Sequence, residues 1–165
     1  RFSKPTAFLK FSHNALVAPY KDGMAIMMRL APYKNTNLTD AEAKMTVGMA
    51  VEENGKMVNK FYSLELEMSR INALTLSWTL VHPINENSPF YNFTEADFST
   101  IEGEILVFVK AFDDMFSTTV AASTSYLFEE FVYGAKFELM YAENSDNTKT
   151  ILYLDKLNAH YKIDG

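Results

Sequence analysis

Hydrophobic and polar residues alternate along most of the chain, which is typical of half-buried β-strands. Residues 15–30 predict two strands joined at Lys21-Asp22-Gly23, where Gly23 would supply a positive φ. Residues 40–52 predict a long strand that carries its apolar side chains on one face. Those side chains belong to Ala41, Ala43, Met45, Val47 and Met49.

The same alternation predicts further strands downstream of a polar turn at residues 53–56. In one of them Leu64, Leu66 and Met68 should point inward. In the next, Leu74, Leu76, Trp78 and Leu80 should share a face. These strands span residues 57–68, 73–82, 103–112, 117–126 and 131–142, and the loops between elements are expected at 83–92 and 143–149.

Helical signals are confined to two short segments. Thr94 and Asp97 have the spacing of a capping box, which predicts a short helix over residues 94–98. A weaker pattern predicts a terminal helix over 153–162. The chain is therefore expected to be all-β, with two antiparallel sheets packed face to face and one or two short helices. No linker composition divides it, so residues 1–165 are predicted to form one domain.

Composition narrows the possible functions. The net charge of −6 argues against a nucleic-acid partner, because such a protein usually carries a basic stripe. The chain has no cysteine, which excludes disulfides and thiolate metal sites. The charge-free stretch from Ile71 is too short and polar to cross a bilayer. Because the chain begins with Arg1, it is expected to be part of a longer protein.

Enzyme signatures are absent from the sequence. It contains no Gly-rich phosphate loop, no nucleophile elbow and no HExxH motif. His13, His82 and His160 are far apart and lack the spacing of metal ligands, so each is predicted to make hydrogen bonds. No metal site is expected, and the chain is predicted not to be an enzyme.

Two adjacent carboxylates, Asp113 and Asp114, stand between Phe112 and Phe116. Aspartates favour turns, so a hairpin tip is one explanation, and a surface facing positive charge is another. Adjacent strand residues point to opposite faces, which makes them a poor acid–base pair. Two further interpretations stay open: a glycan-active enzyme that combines Asp114 with Glu65, and a soluble immunoglobulin-like adhesion or ligand-binding module.

Four stretches that cover most of the chain follow one another in the order RFSKP, FSHNALVAPYKDGMAIMMRLA, LSWTLVHPINENSPFY and STTVAASTSYLFEEFVYGAKFELMY. Together, and in this order, they resemble the cytoplasmic C-terminal domain of inward-rectifier potassium channels, above all the prokaryotic branch. The resemblance implies an immunoglobulin-like β-sandwich on the cytoplasmic side of the cell membrane. It also implies a homotetramer attached to its own transmembrane pore domain, which would precede Arg1.

The resemblance also implies where ions would be met. Asp40 and Asp114 fall on pore-lining acidic positions of the family, and fourfold symmetry would turn each into a ring of carboxylates. Such rings attract K⁺ and bind Mg²⁺ or polyamines as blockers, and no other cofactor is expected. A gating loop would comprise Met115, Phe116, Ser117, Thr118 and Thr119. The alternative is that Met115 and Phe116 pack in the core.

Basic residues near the start of the chain match lipid-facing positions of the family. Arg1, Lys4 and Lys34 would meet anionic headgroups, and each would gain roughly 1 kcal/mol beside an anionic surface. Ordinary solvated surface charge is the alternative. The further basic residues of eukaryotic members are replaced here by Thr6-Ala7-Phe8, so strong phosphoinositide activation is not expected. Gly134 is predicted to serve backbone geometry or close packing.

Overall fold

Two five-stranded sheets form the body of the protein, as a computed structural model that describes residues 8–33 and 37–163 shows. The first sheet contains β1 (Leu9–Phe11), β2 (Leu16–Tyr20), β3 (Gly23–Pro32), β7 (Trp78–Ile84) and β10 (Val132–Tyr133). The second contains β4 (Leu38–Glu53), β5 (Lys56–Leu64), β6 (Arg70–Leu74), β8 (Gly103–Asp113) and β9 (Thr118–Leu127). The predicted all-β sandwich is confirmed.

Short elements complete the fold at the ends of the sandwich. Helix α1 spans Glu95–Thr100, and single 3-10 turns lie at Phe128–Glu130 and Leu154–Lys156. Two small antiparallel pairs lie in the C-terminal segment. They join β11 (Ala135–Phe137) to β14 (His160–Lys162) and β12 (Tyr141–Glu143) to β13 (Thr150–Leu152).

The long strands bury one residue in two, as the alternation predicts. All five apolar residues assigned to one face of β4 are buried, and so are Ile105, Val107, Val109 and Ala111 of β8. They join Ile26, Met28 and Leu30 of the first sheet in one core. Each valine, leucine, isoleucine or methionine among them contributes roughly 1.5–3 kcal/mol when it is fully buried.

Residues 73–82 form parts of two strands rather than one. β6 ends at Leu74 and pairs with β4, whereas β7 begins at Trp78 and pairs with β3 in the other sheet. The chain crosses between the sheets at residues 75–77, so Leu74 and Leu80 enter the same core from opposite sides. The predicted inward position of Met68 is wrong: it follows the end of β5 and is 58% exposed.

The predicted boundary between strand and loop at Pro83 is wrong. β7 runs through Pro83 to Ile84, and Pro83 is tolerated because β7 lies at the edge of its sheet.

The capping box is confirmed. The Asp97 amide donates to the Thr94 hydroxyl, and the Thr94 amide donates to the Asp97 carboxylate. Phe98 of this helix packs among Phe90 and Phe128.

The backbone takes a positive φ at positions that differ in part from those predicted. In the β2–β3 turn Lys21, with φ 52°, adopts this conformation instead of Gly23. Gly134 does adopt it, with φ 71°, which confirms its backbone role. It breaks the strand predicted over residues 131–142 into β10 and β11, and a second break precedes β12.

The predicted terminal helix over residues 153–162 is wrong. This segment makes one 3-10 turn and then strand β14, whose register pairs Phe137 with His160. Met140 and Leu157 pack on Ala31 in a second, smaller core. Contacts with the sandwich therefore override a weak local helical preference, which is common for short segments.

Arg29 holds this C-terminal segment against the first sheet. The residue is 4% exposed, and its guanidinium lies 4.4 Å from the Phe137 ring. Burial lowers the pKa of Arg29 to about 10, so the side chain stays charged at neutral pH. It donates to the backbone carbonyls of Glu138, Lys156, Leu157 and Ala159, over distances of 2.5–3.1 Å.

We expect Arg29→Gln to lower the free energy of unfolding by about 2–3 kcal/mol, because buried carbonyls lose charged donors. Amide hydrogen exchange over residues 137–163 should accelerate more than exchange in β4 and β8. Lys136→Gln removes the same charge from an exposed site in β11 and serves as the control. Equal stability of the two variants would contradict the role of Arg29.

His82 is the buried histidine of the described residues, 3% exposed in β7. Its Nδ1 lies 2.7 Å from the Glu65 carbonyl oxygen, so Nδ1 is the protonated donor. Its Nε2 lies 2.8 Å from the hydroxyl of Ser88. The predicted hydrogen-bonding role is thereby confirmed. Burial lowers the pKa of His82, and the Phe90 ring that faces it offers no compensating charge.

This environment predicts an acid-sensitive stability. The unfolded chain, with a histidine pKa of about 6.5, binds the proton more readily than the folded protein does. Stability is therefore full above that pH and falls as the pH drops through it, by at most about 1.4 kcal/mol per pH unit. The free energy of unfolding in urea can be measured at pH 7.5 and 5.5, on either side of the histidine pKa of about 6.5. It should change less between these two values in His82→Asn than in the native protein. The exposed control His13→Asn should keep the native slope.

Candidate functional site

The paired carboxylates lie at the tip of the β8–β9 hairpin, on opposite faces. Asp113 is the last residue of β8 and is 5% exposed. Its Oδ1 accepts a hydrogen bond of 2.9 Å from the Met115 amide, which stabilises the turn over residues 114–117. Asp114 begins that turn and is exposed. The first acid therefore has a structural role, and the second is available to solvent ions.

Asp114 is oriented by the start of β4. Its amide donates to the Asn37 carbonyl at 2.9 Å, which ties the hairpin tip to the chain just before that strand. Its carboxylate accepts from the Asn37 side-chain amide at 3.2 Å and from the Thr39 hydroxyl at 3.4 Å. Both donors are neutral, and within residues 8–33 and 37–163 Asp114 forms no salt bridge.

Asp40 lies close by because β4 contains an irregularity at this point. Thr39 pairs with Phe112 of β8, but the next pair joins Glu42 to Lys110, so two residues of β4 oppose one of β8. This β-bulge gives Asp40 a φ of 48°, a conformation that aspartate adopts more readily than most residues do. The exposed Asp40 thus follows directly on the residue that contacts Asp114.

A depression of about 490 Å³ lies beside Asp40. Glu42, Arg70 and Lys110 line it together with Asp40, Phe112 and Thr119. The hydrogen bond from Arg70 lowers the pKa of Glu42, which is therefore ionised at neutral pH. The depression is consequently lined by charges of both signs.

The candidate gating loop is an exposed turn with apolar side chains. Met115 is 61% exposed and Phe116 is 73% exposed, so the alternative that they pack in the core is wrong. Ser117 has a φ of 48°, and Thr118 and Thr119 already belong to β9. Large apolar residues at the tip of a hairpin are unusual for a surface that meets only water.

The three basic residues assigned to the lipid surface, Arg1, Lys4 and Lys34, lie outside the described residues. Within residues 8–33 and 37–163, no group of three or more acidic or histidine side chains is arranged to hold a metal ion. The helices of that same part of the chain are too short or too polar to span a membrane.

The sequence matches a family model described as the inward rectifier potassium channel C-terminal domain, over residues 9–164. The chain belongs to this family. Inward rectifier potassium channel Kirbac3.1 of Paramagnetospirillum magnetotacticum is 28% identical over 92% of this chain and 52% of its own length. ATP-sensitive inward rectifier potassium channel 12 of Gallus gallus is 26% identical over 90% of this chain and 36% of its own length.

These inward-rectifier relatives are longer than the chain, which spans about half or less of their length. Membership of a channel family shows that the domain is not an enzyme, and it also sets aside the adhesion module. Among solved structures, the sporulation control protein Spo0M from Bacillus subtilis is similar over 78% of this chain and 50% of its own, at 7% identity. Its TM-score of 0.36 carries no weight for fold or function.

Sequence patterns did not reveal the residues that orient Asp114 or surround Asp40, the two acids predicted to meet ions. Asn37 and Thr39 hold Asp114, and Glu42 joins Arg70 and Lys110 beside Asp40. Alternation did place Glu42 on the face of β4 opposite the core. Its partners lie far away in sequence, however, so their contact depends on the strand register.

The different roles of the paired acids predict different effects of substitution. Asp113→Ala removes the acceptor of the Met115 amide, and should lower the free energy of unfolding by about 1–2 kcal/mol. Asp113→Asn keeps an acceptor oxygen and should retain most of that stability. Amide exchange at residues 114–117 should accelerate in the alanine variant. Equal losses in the two variants would mean that the charge matters, and not the hydrogen bond.

Proposed function

We propose that this domain forms the cytoplasmic part of the ion pathway of an inward-rectifier potassium channel. Four copies surround an extension of the pore, and Asp40 and Asp114 face the ions in it. The observation that carries this proposal is the placement of both carboxylates at one end of the second sheet, where they are exposed. Within residues 8–33 and 37–163, neither carboxylate forms a salt bridge. Family membership supports it independently.

Rings of carboxylates explain how such a passage would treat cations. Like charges gathered in a confined space raise the local concentration of cations. Their field reaches roughly 8 Å at physiological ionic strength, so it acts inside the passage and fades outside it. K⁺ crosses the rings, whereas Mg²⁺ and polyamines bind them more strongly and block flow, because the attraction grows with ligand charge.

The outer face of the second sheet supports assembly with further copies. Leu106 and Phe108 of β8 are exposed there, opposite Thr46 and Lys44 of β4. Phe61 of β5 is also exposed, and its ring covers Gly48, where an added Cβ would lie 2.8 Å from it. Contiguous exposed apolar surface usually marks an interaction site. We assign the part of this face around Leu106, Phe108 and Phe61, away from the Asp40 end, to contacts within a homotetramer.

The hairpin tip serves as the gating loop in this proposal, with Met115 and Phe116 as its apolar constriction. Their exposure is consistent with a narrowing that closes by excluding water. The backbone bond from Asp114 to Asn37 and the side-chain bonds of Asp114 link the position of the loop to the start of β4. Movement of that strand end would therefore move the tip.

The same end of the sandwich faces the membrane and its own transmembrane pore domain. The Tyr33 amide donates to the Phe8 carbonyl at 2.8 Å, and Asn37 binds Asp114. Phe8 follows residues 1–7 in the sequence, and Tyr33 and Asn37 flank residues 34–36, so these described residues are the neighbours in sequence of Arg1, Lys4 and Lys34. Anionic lipid headgroups are their proposed partners, worth roughly 1 kcal/mol for each cation.

The test is potassium flux through the full-length channel in liposomes, with and without spermine. Spermine should block the native channel, and Asp40→Asn/Asp114→Asn should raise the half-blocking concentration at least about tenfold, because two rings of charge are lost. Asp22→Asn/Asp155→Asn is the control. It removes the same charge from two exposed acids elsewhere and should leave the block unchanged.

Equal block of the native channel and the Asp40/Asp114 variant would contradict the cation site. Asp113 and Asp114 would then have no role beyond the turn of the β8–β9 hairpin. An absence of flux from correctly folded channel would contradict the channel function itself.

A further inference from the structure

Three neighbouring strands place Glu42 between two cations. The register pairs Glu42 of β4 with Arg70 of β6 on one side and with Lys110 of β8 on the other. Arg70 contacts Glu42 Oε2 through Nε at 2.8 Å and through a terminal nitrogen at 2.6 Å. Lys110 Nζ lies 3.6 Å from Oε1. One carboxylate therefore holds two bases, one through each oxygen.

The charges of this row do not cancel. One acid lies between two bases, so the row carries one positive charge in excess. Arg70 is held by two close contacts, whereas Lys110 lies beyond ordinary hydrogen-bond length and is about half exposed. Lys110 is therefore the less neutralised of the two cations. It lines the same depression as Asp40.

We propose that Lys110, held in place by Glu42, limits the affinity of the Asp40 region for multivalent cations. This inference rests on the proposed function and names the residue that tunes it. An ion that approaches Asp40 also approaches the Lys110 ammonium and is repelled by it. The carboxylate of Asp40 then attracts cations less strongly than it would on a purely acidic wall.

The effect depends on the charge of the ligand. Coulomb repulsion from one ammonium is proportional to ligand charge, so it acts on spermine, with about four charges, roughly four times as strongly as on K⁺. Mg²⁺ lies between the two. Lys110 would thus act on selectivity, favouring passage of K⁺ over retention of polyvalent blockers.

The experiment compares Lys110→Gln with the native chain in the full-length channel, by spermine and Mg²⁺ block of potassium flux in liposomes. Each block is normalised to the flux of the same variant without blocker. We expect the half-blocking concentration of spermine to fall about three- to tenfold and that of Mg²⁺ to fall less. Lys110→Glu should extend both changes in the same direction.

Lys60→Gln is the matched control, because it also removes one positive charge from an ion pair. Lys60 pairs with Glu53, which lies at the end of β4 far from Asp40. It should leave both half-blocking concentrations unchanged. Unchanged block in Lys110→Gln, or an equal change in Lys60→Gln, would overturn the inference. If Asp40→Asn/Asp114→Asn still weakens block in that case, the proposed function survives alone. If that variant also has no effect, the proposed function fails with it.

Discussion

The antiparallel pairing of β4 with β8 is the constraint on which the rest of the structure depends. Its register sends one residue in two into the core and the alternate ones to the outer face. The bulge between Thr39 and Glu42 interrupts this register once, at the end of the ladder, and leaves Asp40 exposed. A shift of one residue would exchange the two faces, so packing of the core also determines where the charges lie.

The pair of acids that interrupts the apolar sequence has two separate explanations. Asp113 ends the buried face of β8 and satisfies the turn, whereas Asp114 lies outside and is oriented by neutral donors. Asp113 therefore has the structural role of a turn residue, and Asp114 is the residue to which we assign contact with ions as a proposal. The same ladder brings Lys110 next to Glu42. Under the proposed function, affinity for cations would then reflect a balance of charges and not the acids alone.

Alternation predicted the long strands well, because burial of one sheet face imposes a period of two. It could not show that residues 73–82 cross between sheets, since both halves enter the same core. The terminal helix failed because residues 153–162 are held by Arg29 and β11, and neither contact is visible in local sequence. The family resemblance pointed to Asp40 and Asp114. Their neighbours could be identified only from the register of the paired strands.

The most direct test of the central claim is a distance measurement at the hairpin tip. The chain has no cysteine, so Ser117→Cys in the full-length channel offers one spin-label site for each subunit in this domain. Four equivalent labels around an axis give two distances in a ratio of about 1.4. The field of each Asp114 carboxylate reaches roughly 8 Å, so the four carboxylates must lie within about that distance of the axis to act together. The shorter label-to-label distance should then be below about 25 Å, including the length of the label arms. A single distance, or a shorter one well above that value, would contradict the account.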